Sequence, residues 1–211
     1  MDLNTPLFEG QLVYLASIKP DQDAEIESHW THDAEFQRLL GKELVRLLSP
    51  AQIKKNYTEI EKEMDEKGNQ FYFTIRRLPL SERTEAVHGA VQDSDFLLGF
   101  ARLDWIAWSH GVGSLSIGIG NPEERGKGYG SDALRLLLGY AFRELNLYRV
   151  SIAIPEYNQV ALRLFEKAAF KVEARRREAL HRKGRRWEVL HLGLLREEWE
   201  QSEWRTMWAQ I

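Results

Sequence analysis

Arg125-Gly126-Lys127-Gly128-Tyr129-Gly130 is the stretch from which the rest of the chain is read. An alternating apolar run, 115–120, precedes it, and a strongly periodic segment, 131–145, follows. Glycine admits backbone angles closed to other residues and lets the main chain approach a ligand, so successive N–H groups can converge on one oxygen-rich group. A helix beginning there adds its unbonded first-turn donors and the positive end of its dipole. Such a turn binds anions, most naturally a phosphate or pyrophosphate, with Arg125 and Lys127 supplying charge at the rim. Neither common nucleotide fingerprint is present: the spacing is not G-x-G-x-x-G and not G-x-x-x-x-G-K-[ST].

Working outward, Leu134, Leu137, Leu138, Ala141, Phe142 and Leu145 recur at the spacing of a core-packed helix, which pins the turn against a sheet. On the other side, Ser114, Ser116, Gly118 and Gly120 form a row of small residues, which lets something lie against the strand backbone. Residues 96–105 read as a central strand, and Ser109-His110-Gly111 as the turn between it and the next. Beyond the helix, 149–154 reads as a buried strand ending at Pro155. Asn158 then caps a helix carrying Val160, Ala161, Leu164, Phe165 and Ala168.

In the form R-x-x-G-x-G, between a strand and a long amphipathic helix, the turn resembles the acyl-CoA signature of the GNAT superfamily of N-acetyltransferases. Gly128 to Leu134, Tyr140 to Leu147, Asn158, Leu164-Phe165-Glu166-Lys167 and Leu194 to Trp199 resemble in particular the branch that acetylates ribosomal-protein N-termini and diverse small amines. The resemblance implies an α/β (α+β) fold, with a mixed, mostly antiparallel sheet of about seven strands flanked by helices. It implies acetyl-CoA as cosubstrate, no metal, and an amine acceptor, either a peptide N-terminus or a small molecule. It also implies cofactor contacts from Ile117, Gly118, Ile119, Arg125, Gly126, Lys127, Gly128, Tyr129, Gly130, Ser131, Asn158, Phe165 and Lys167. The pantetheine arm would pair with main-chain groups around Ile117 and Ile119, in a slot opened by splayed strands.

Three positions depart from the family pattern. Phe165 stands where relatives carry a tyrosine near the sulfur, Ser114 where some carry a general-base glutamate, and Ala169 where glycine commonly precedes the phenylalanine. The acid and base therefore stay open, with Asp104, His110 and Tyr129 as candidates. Direct attack by the amine suits a chain with no cysteine to carry an acetyl group. Two other readings stand beside the enzyme: an acyl-CoA-binding domain with little or no catalysis, and a module using the same turn for ATP.

A chain of 211 residues, 43% of them apolar, suffices for one full core and reads as a single domain with its core at about 10–196. The net charge of −3 argues against a nucleic-acid surface as its main business. No run approaches a membrane span, and the first residues do not read as a signal peptide, so the expected location is cytoplasmic. Upstream, 11–18 reads as a strand, and a helix runs from Pro20 to Trp30 with Ile26 and Trp30 on one side. Phe36, Leu39 and Leu40 continue as a short helix or an irregular turn. Ser49-Pro50 opens a helix that Gly68 stops, and 71–78 is a strand. Residues 79–95 read as a long hairpin insertion, with His88 a solvated loop histidine. Downstream, 170–179 and 187–195 pair around a basic turn at 181–186. A terminal helix over about 196–209 then carries Trp204, Met207, Trp208 and Ile211 on one side, to pack on the body or join a second subunit.

Overall fold

The computed structural model describes residues 7–41, 44–79 and 96–206. Seven strands form one sheet: β1 (Val13–Ala16), β2 (Phe71–Arg77), β3 (Leu97–Ala107), β4 (Val112–Ile119), β5 (Arg149–Pro155), β6 (Lys171–Arg182) and β7 (Arg185–Leu195). Their order is β1-β2-β3-β4-β5-β7-β6, and every neighbouring pair is antiparallel except β4 with β5. The helices are α1 (Pro20–Trp30), α2 (Ala34–Leu39), α3 (Pro50–Lys67), α4 (Tyr129–Gly139), α5 (Gln159–Lys167), α6 (Arg196–Gln201) and α7 (Glu203–Thr206).

Strand alternation divides the side chains between two layers. Phe71, Phe73 and Ile75 of β2, with Leu115, Ile117 and Ile119 of β4, face the main core under α4, where Leu134, Leu137, Leu138 and Phe142 are buried. Tyr72 of β2 faces the opposite side, against Ile53 and Tyr57 of α3. The α4 segment continues through a π-turn at Tyr140–Glu144, so the periodic stretch is helical along its length but not uniformly α. Asp132 in the first turn of α4 is 3% exposed and accepts the N–H groups of Leu12 (2.7 Å) and Val13 (3.1 Å), locking the helix start to β1.

The α3 boundaries are those the sequence announces: Ser49 and Gln52 complete a capping box, Pro50 opens the helix, and Gly68 closes it at φ 58°. Other boundaries differ from expectation. β4 begins at Val112, three residues before its apolar alternation, because its first residues are those that pair with β5. On α1, Trp30 is buried but Ile26 is not. The inward stripe is instead Asp23, Ala24, Ser28 and Trp30, because Asp23 meets Arg76 of β2. The expected terminal helix breaks at Ser202 into α6 and α7. Its Trp199 stacks on Phe142 at 5.1 Å, and Arg135 lies 4.7 Å over Trp204, so this described part packs back on the body. Residues 80–95 with His88, and Met207, Trp208 and Ile211, lie outside the described residues.

Candidate active site

β4 and β5 are paired over Val112–Ser114 and Arg149–Ser151 only. Beyond that ladder they diverge, and a cleft of about 650 Å³ opens between Ser116–Ile119 and Ile152–Pro155. The glycine turn closes its upper end, α5 forms one wall and α2 covers part of it.

The hydrogen-bond register fixes what β4 offers the cleft. Gly120 donates to Leu98 O at 2.9 Å, so in the antiparallel ladder Gly118 and Ser116 also bond toward β3. Ile117 and Ile119 therefore turn their main-chain groups toward the gap. The carbonyl of Ile119 is already engaged by Arg125 Nε at 3.0 Å. At the turn, the first bond of α4 is Asp132 N–H to Gly128 O (3.0 Å). The N–H groups of Gly128, Tyr129, Gly130 and Ser131 have no main-chain partner among the described residues, and no side chain caps the helix. Gly126 and Gly128 adopt φ 78° and 91°, and a Cβ on Gly126 would meet nothing within 4 Å. These four amides at a helix mouth, above a strand edge with free groups, fit the diphosphate and amide-bearing arm of coenzyme A.

Gly118, Ile119, Ile117, Arg125, Gly126, Gly128, Gly130, Ser131, Asn158 and Phe165 all line this cleft, whereas Lys127, Tyr129 and Lys167 do not. Lys127 pairs with Glu124 at 3.1 Å, and Tyr129 packs against the core. The Arg125 guanidinium is not a free anion ligand. It donates to Gly120 O at 2.6 Å and to Asp33 Oδ2 at 2.9 Å, and it lies 5.0 Å over the Phe36 ring. Burial works to raise the Asp33 carboxyl, but the Phe36 N–H and the Arg125 guanidinium outweigh it and hold the pKa below its usual value. Arg125 thus fastens α2 to the turn. Asn158 caps α5 by accepting from Ala161 N–H (3.1 Å) and donates to Leu39 O (3.1 Å), tying α2 to the other wall.

Ser114 lies below the cleft, its hydroxyl donating to Ser151 O at 3.3 Å. The small residues above it are not all open to a ligand. A Cβ on Gly118 would come within 3.0–3.3 Å of Phe100, Leu40 and Phe36, and one on Gly120 would run into Trp30. Part of that row is small because the protein's own aromatic side chains fill the face. Phe165 is 1% exposed and packs edge-on to Phe170 at 5.0 Å.

The three acid–base candidates are not brought to the cleft. His110 sits in the β3–β4 turn at the opposite end of β4 from the glycines, Asp104 pairs with Arg102 at 2.9 Å, and Tyr129 faces the core. The structure reveals instead a second cavity, of about 200 Å³, on the α1–α3 side of the sheet. Phe36, Leu40 and Ser116 line both cavities, so the two meet there. Its polar lining includes Glu27, Tyr57, Tyr72 and Arg102. Tyr57 donates to Glu27 Oε2 at 2.5 Å. Burial, and then the Glu27 charge, push its phenol far above the ordinary range, and burial does the same to Tyr72, so both stay neutral donors. Alternation in β2 and β3 places Tyr72 and Arg102 on this face, but their meeting with Glu27 is a tertiary event that no local spacing signals.

Residues 13–171 match the model of the acetyltransferase (GNAT) domain family. An N-acetyltransferase 9-like protein of Caenorhabditis briggsae is 27% identical over 150 residues, covering 70% of each chain. The protein named putative ribosomal N-acetyltransferase YdaF, of Bacillus subtilis, is 36% identical over 78 residues, 37% of this chain and 43% of that one. The crystal structure of spermidine N-acetyltransferase from Vibrio cholerae, in complex with CoA and spermine, superposes with a TM-score of 0.69 at 18% identity. It covers 90% of this chain and 98% of the other.

Proposed function

The chain belongs to the acetyltransferase (GNAT) domain family, and from that premise we propose that it transfers acetyl from acetyl-CoA directly to a primary amine of a peptide N-terminus or a small molecule. The observation carrying this reading is the row of amides from Gly128 to Ser131, without main-chain partners among the described residues, at the head of a cleft that meets a second cavity lined in part by polar side chains. The V. cholerae relative with CoA and spermine supports a cofactor-and-amine pairing in this fold.

Acetyl-CoA supplies an activated thioester. The Gly128–Ser131 amides would hold its diphosphate, and the main-chain groups of Ile117 with the N–H of Ile119 would pair with its arm, which would bring the acetyl group near Ser116. Phe36, Leu40 and the Ile152–Pro155 segment exclude water around it. An amine entering through the second cavity then meets the thioester, and most of the acceleration comes from that positioning. The amine loses a proton into the second cavity, where Glu27 is the carboxylate among the lining residues. Its nitrogen then bonds to the thioester carbonyl carbon, the C–S bond breaks, and CoA leaves as the thiol with the second proton that the nitrogen gives up.

Titration calorimetry with CoA and ATP, followed by CoA release across a panel of amines, tests the proposal. CoA binding with turnover of at least one amine is expected. Tight ATP binding without CoA binding would discard it. One observation favours a second reading, a non-catalytic acyl-CoA binder: Phe165 supplies no hydroxyl to the cleft. CoA binding without turnover, with activity appearing in Phe165→Tyr, would establish that reading.

A further inference from the structure

We infer that the acceptor is a peptide N-terminus whose first residues are acidic, read by Arg102 inside the second cavity and by the cationic end of the β6–β7 hairpin outside it. This rests on the acetyl-transfer reading above and adds the class of acceptor.

The cavity carries both signs of charge in about 200 Å³: Glu27 on α1 and Arg102 on β3, the latter held by Asp104 at 2.9 Å. An acceptor with positive charges alone would face the Arg102 guanidinium at close range. An N-terminal residue bearing a carboxylate satisfies both, its amine toward Glu27 and its acid toward Arg102. The volume admits about one side chain, so the rest of a peptide must leave over the rim.

Outside the cavity, the β6–β7 hairpin carries a matching field. Between residues 175 and 186 stand seven arginines and lysines against one carboxylate, in a chain whose net charge is −3. A two-residue turn, Lys183-Gly184 at φ 50° and 70°, closes the hairpin. A register shift between Arg176 and Leu180 bulges the outer strand. Some of the cations are occupied: Arg175 pairs with Glu188 at 3.2 Å, and Arg185 lies 4.0 Å over Trp187. Arg176, Arg177 and Lys183 are exposed and make no ion pair among the described residues. The hairpin is joined to α2, which lends Phe36 and Gln37 to the cavity, because Trp187 packs on Tyr157 at 5.5 Å and the Tyr157 hydroxyl donates to Arg38 O of α2 at 2.8 Å. Exposed charges of this kind contribute mainly steering and selectivity, and they weaken with salt.

The test uses the full chain saturated with CoA and C-terminally labelled ten-residue peptides with free N-termini. One begins Asp-Glu-Asp-Glu, and a matched one has lysine at each of those positions. Fluorescence anisotropy should show the acidic peptide binding about tenfold or more tightly at low salt, with the difference shrinking as salt rises. Replacing Arg176, Arg177 and Lys183 together by glutamate should reverse the preference while CoA affinity stays unchanged. Arg102→Gln should weaken the acidic peptide alone. Equal or tighter binding of the lysine peptide or of spermine, a preference that survives the triple reversal, or an oligouridylate outcompeting the acidic peptide would each overturn the inference. CoA release is measured separately. If the acidic peptide binds without turnover of any acceptor, the acetyl-transfer reading fails while the assignment of an acidic-peptide site stands.

Discussion

At Gly128 the backbone sits at φ 91°, and a Cβ would lie 3.1 Å from Leu12, so a side chain there strains the turn as well as blocking it. Gly130 is the cleaner probe: its φ is ordinary for a helix start, and a Cβ would rest 3.8 Å from Ile119. We expect Gly130→Val to leave the melting temperature within a few degrees of the parent, about the ordinary scale for a surface substitution, and to lower CoA affinity by about tenfold or more by covering the amides. Calorimetry and circular dichroism on the same samples check both halves. Asp132→Ala removes the acceptor of one buried and one half-buried N–H group and should destabilise the fold by about 2–3 kcal/mol in urea titration. Asp33 supplies a pH dependence. Its folded-state pKa lies below the usual carboxylate value, so its contribution is fully present above about pH 4 and is lost as pH falls through the lowered value. The stability advantage of the parent over Asp33→Asn should therefore be constant from neutrality to mild acid and shrink below that.

Among the elements, those whose signals are local were legible. The α3 box and glycine stop, the α4 periodicity and the Asn158 cap each depend on residues within a few positions of one another, and each stands where the letters put it. The glycine turn was legible for the same reason, since a helix start needs only its own first four amides. What the letters could not carry was pairing across the sheet. The end of the β4–β5 ladder at Ser114, which opens the cleft, follows from no feature of either strand alone. Nor did apolar spacing on α1 reveal that Asp23 turns inward, because its partner Arg76 lies on a different element. Asp23 is fully buried, Arg76 is 1% exposed, and the guanidinium Nη2 donates to both carboxylate oxygens at 2.7 and 2.8 Å. Removing one partner strands a buried charge, so Asp23→Ala is expected to cost about 3–5 kcal/mol, measured by denaturant unfolding. Replacing both Asp23 and Arg76 with apolar residues of similar volume should recover much of that loss. A double substitution as damaging as the single one would mean that the pair does more than satisfy itself.

On the scale of the whole molecule, the sheet is two blades, β1–β4 and β5–β7, joined by a three-residue parallel ladder and by the core beneath α4. The cleft is the wedge between them, lined on one side by Ser116–Ile119 and on the other by Ile152–Pro155, with α2 reaching across to Asn158 and to Arg125. A ligand filling that wedge contacts both blades and the turn at once, and the cleft has no counterpart in the unfolded chain. CoA should therefore stabilise the protein by mass action, by about 2.7 kcal/mol at one hundred times its dissociation constant. For a chain of this size that corresponds to a rise in melting temperature of about 5–10 °C. Differential scanning calorimetry at several CoA concentrations should show the midpoint climbing with the logarithm of concentration, and Gly130→Val should flatten that climb at equal ligand. A midpoint indifferent to CoA in the parent chain would mean that the folded chain does not bind it, and an undiminished climb in Gly130→Val would mean that the cofactor binds away from the turn.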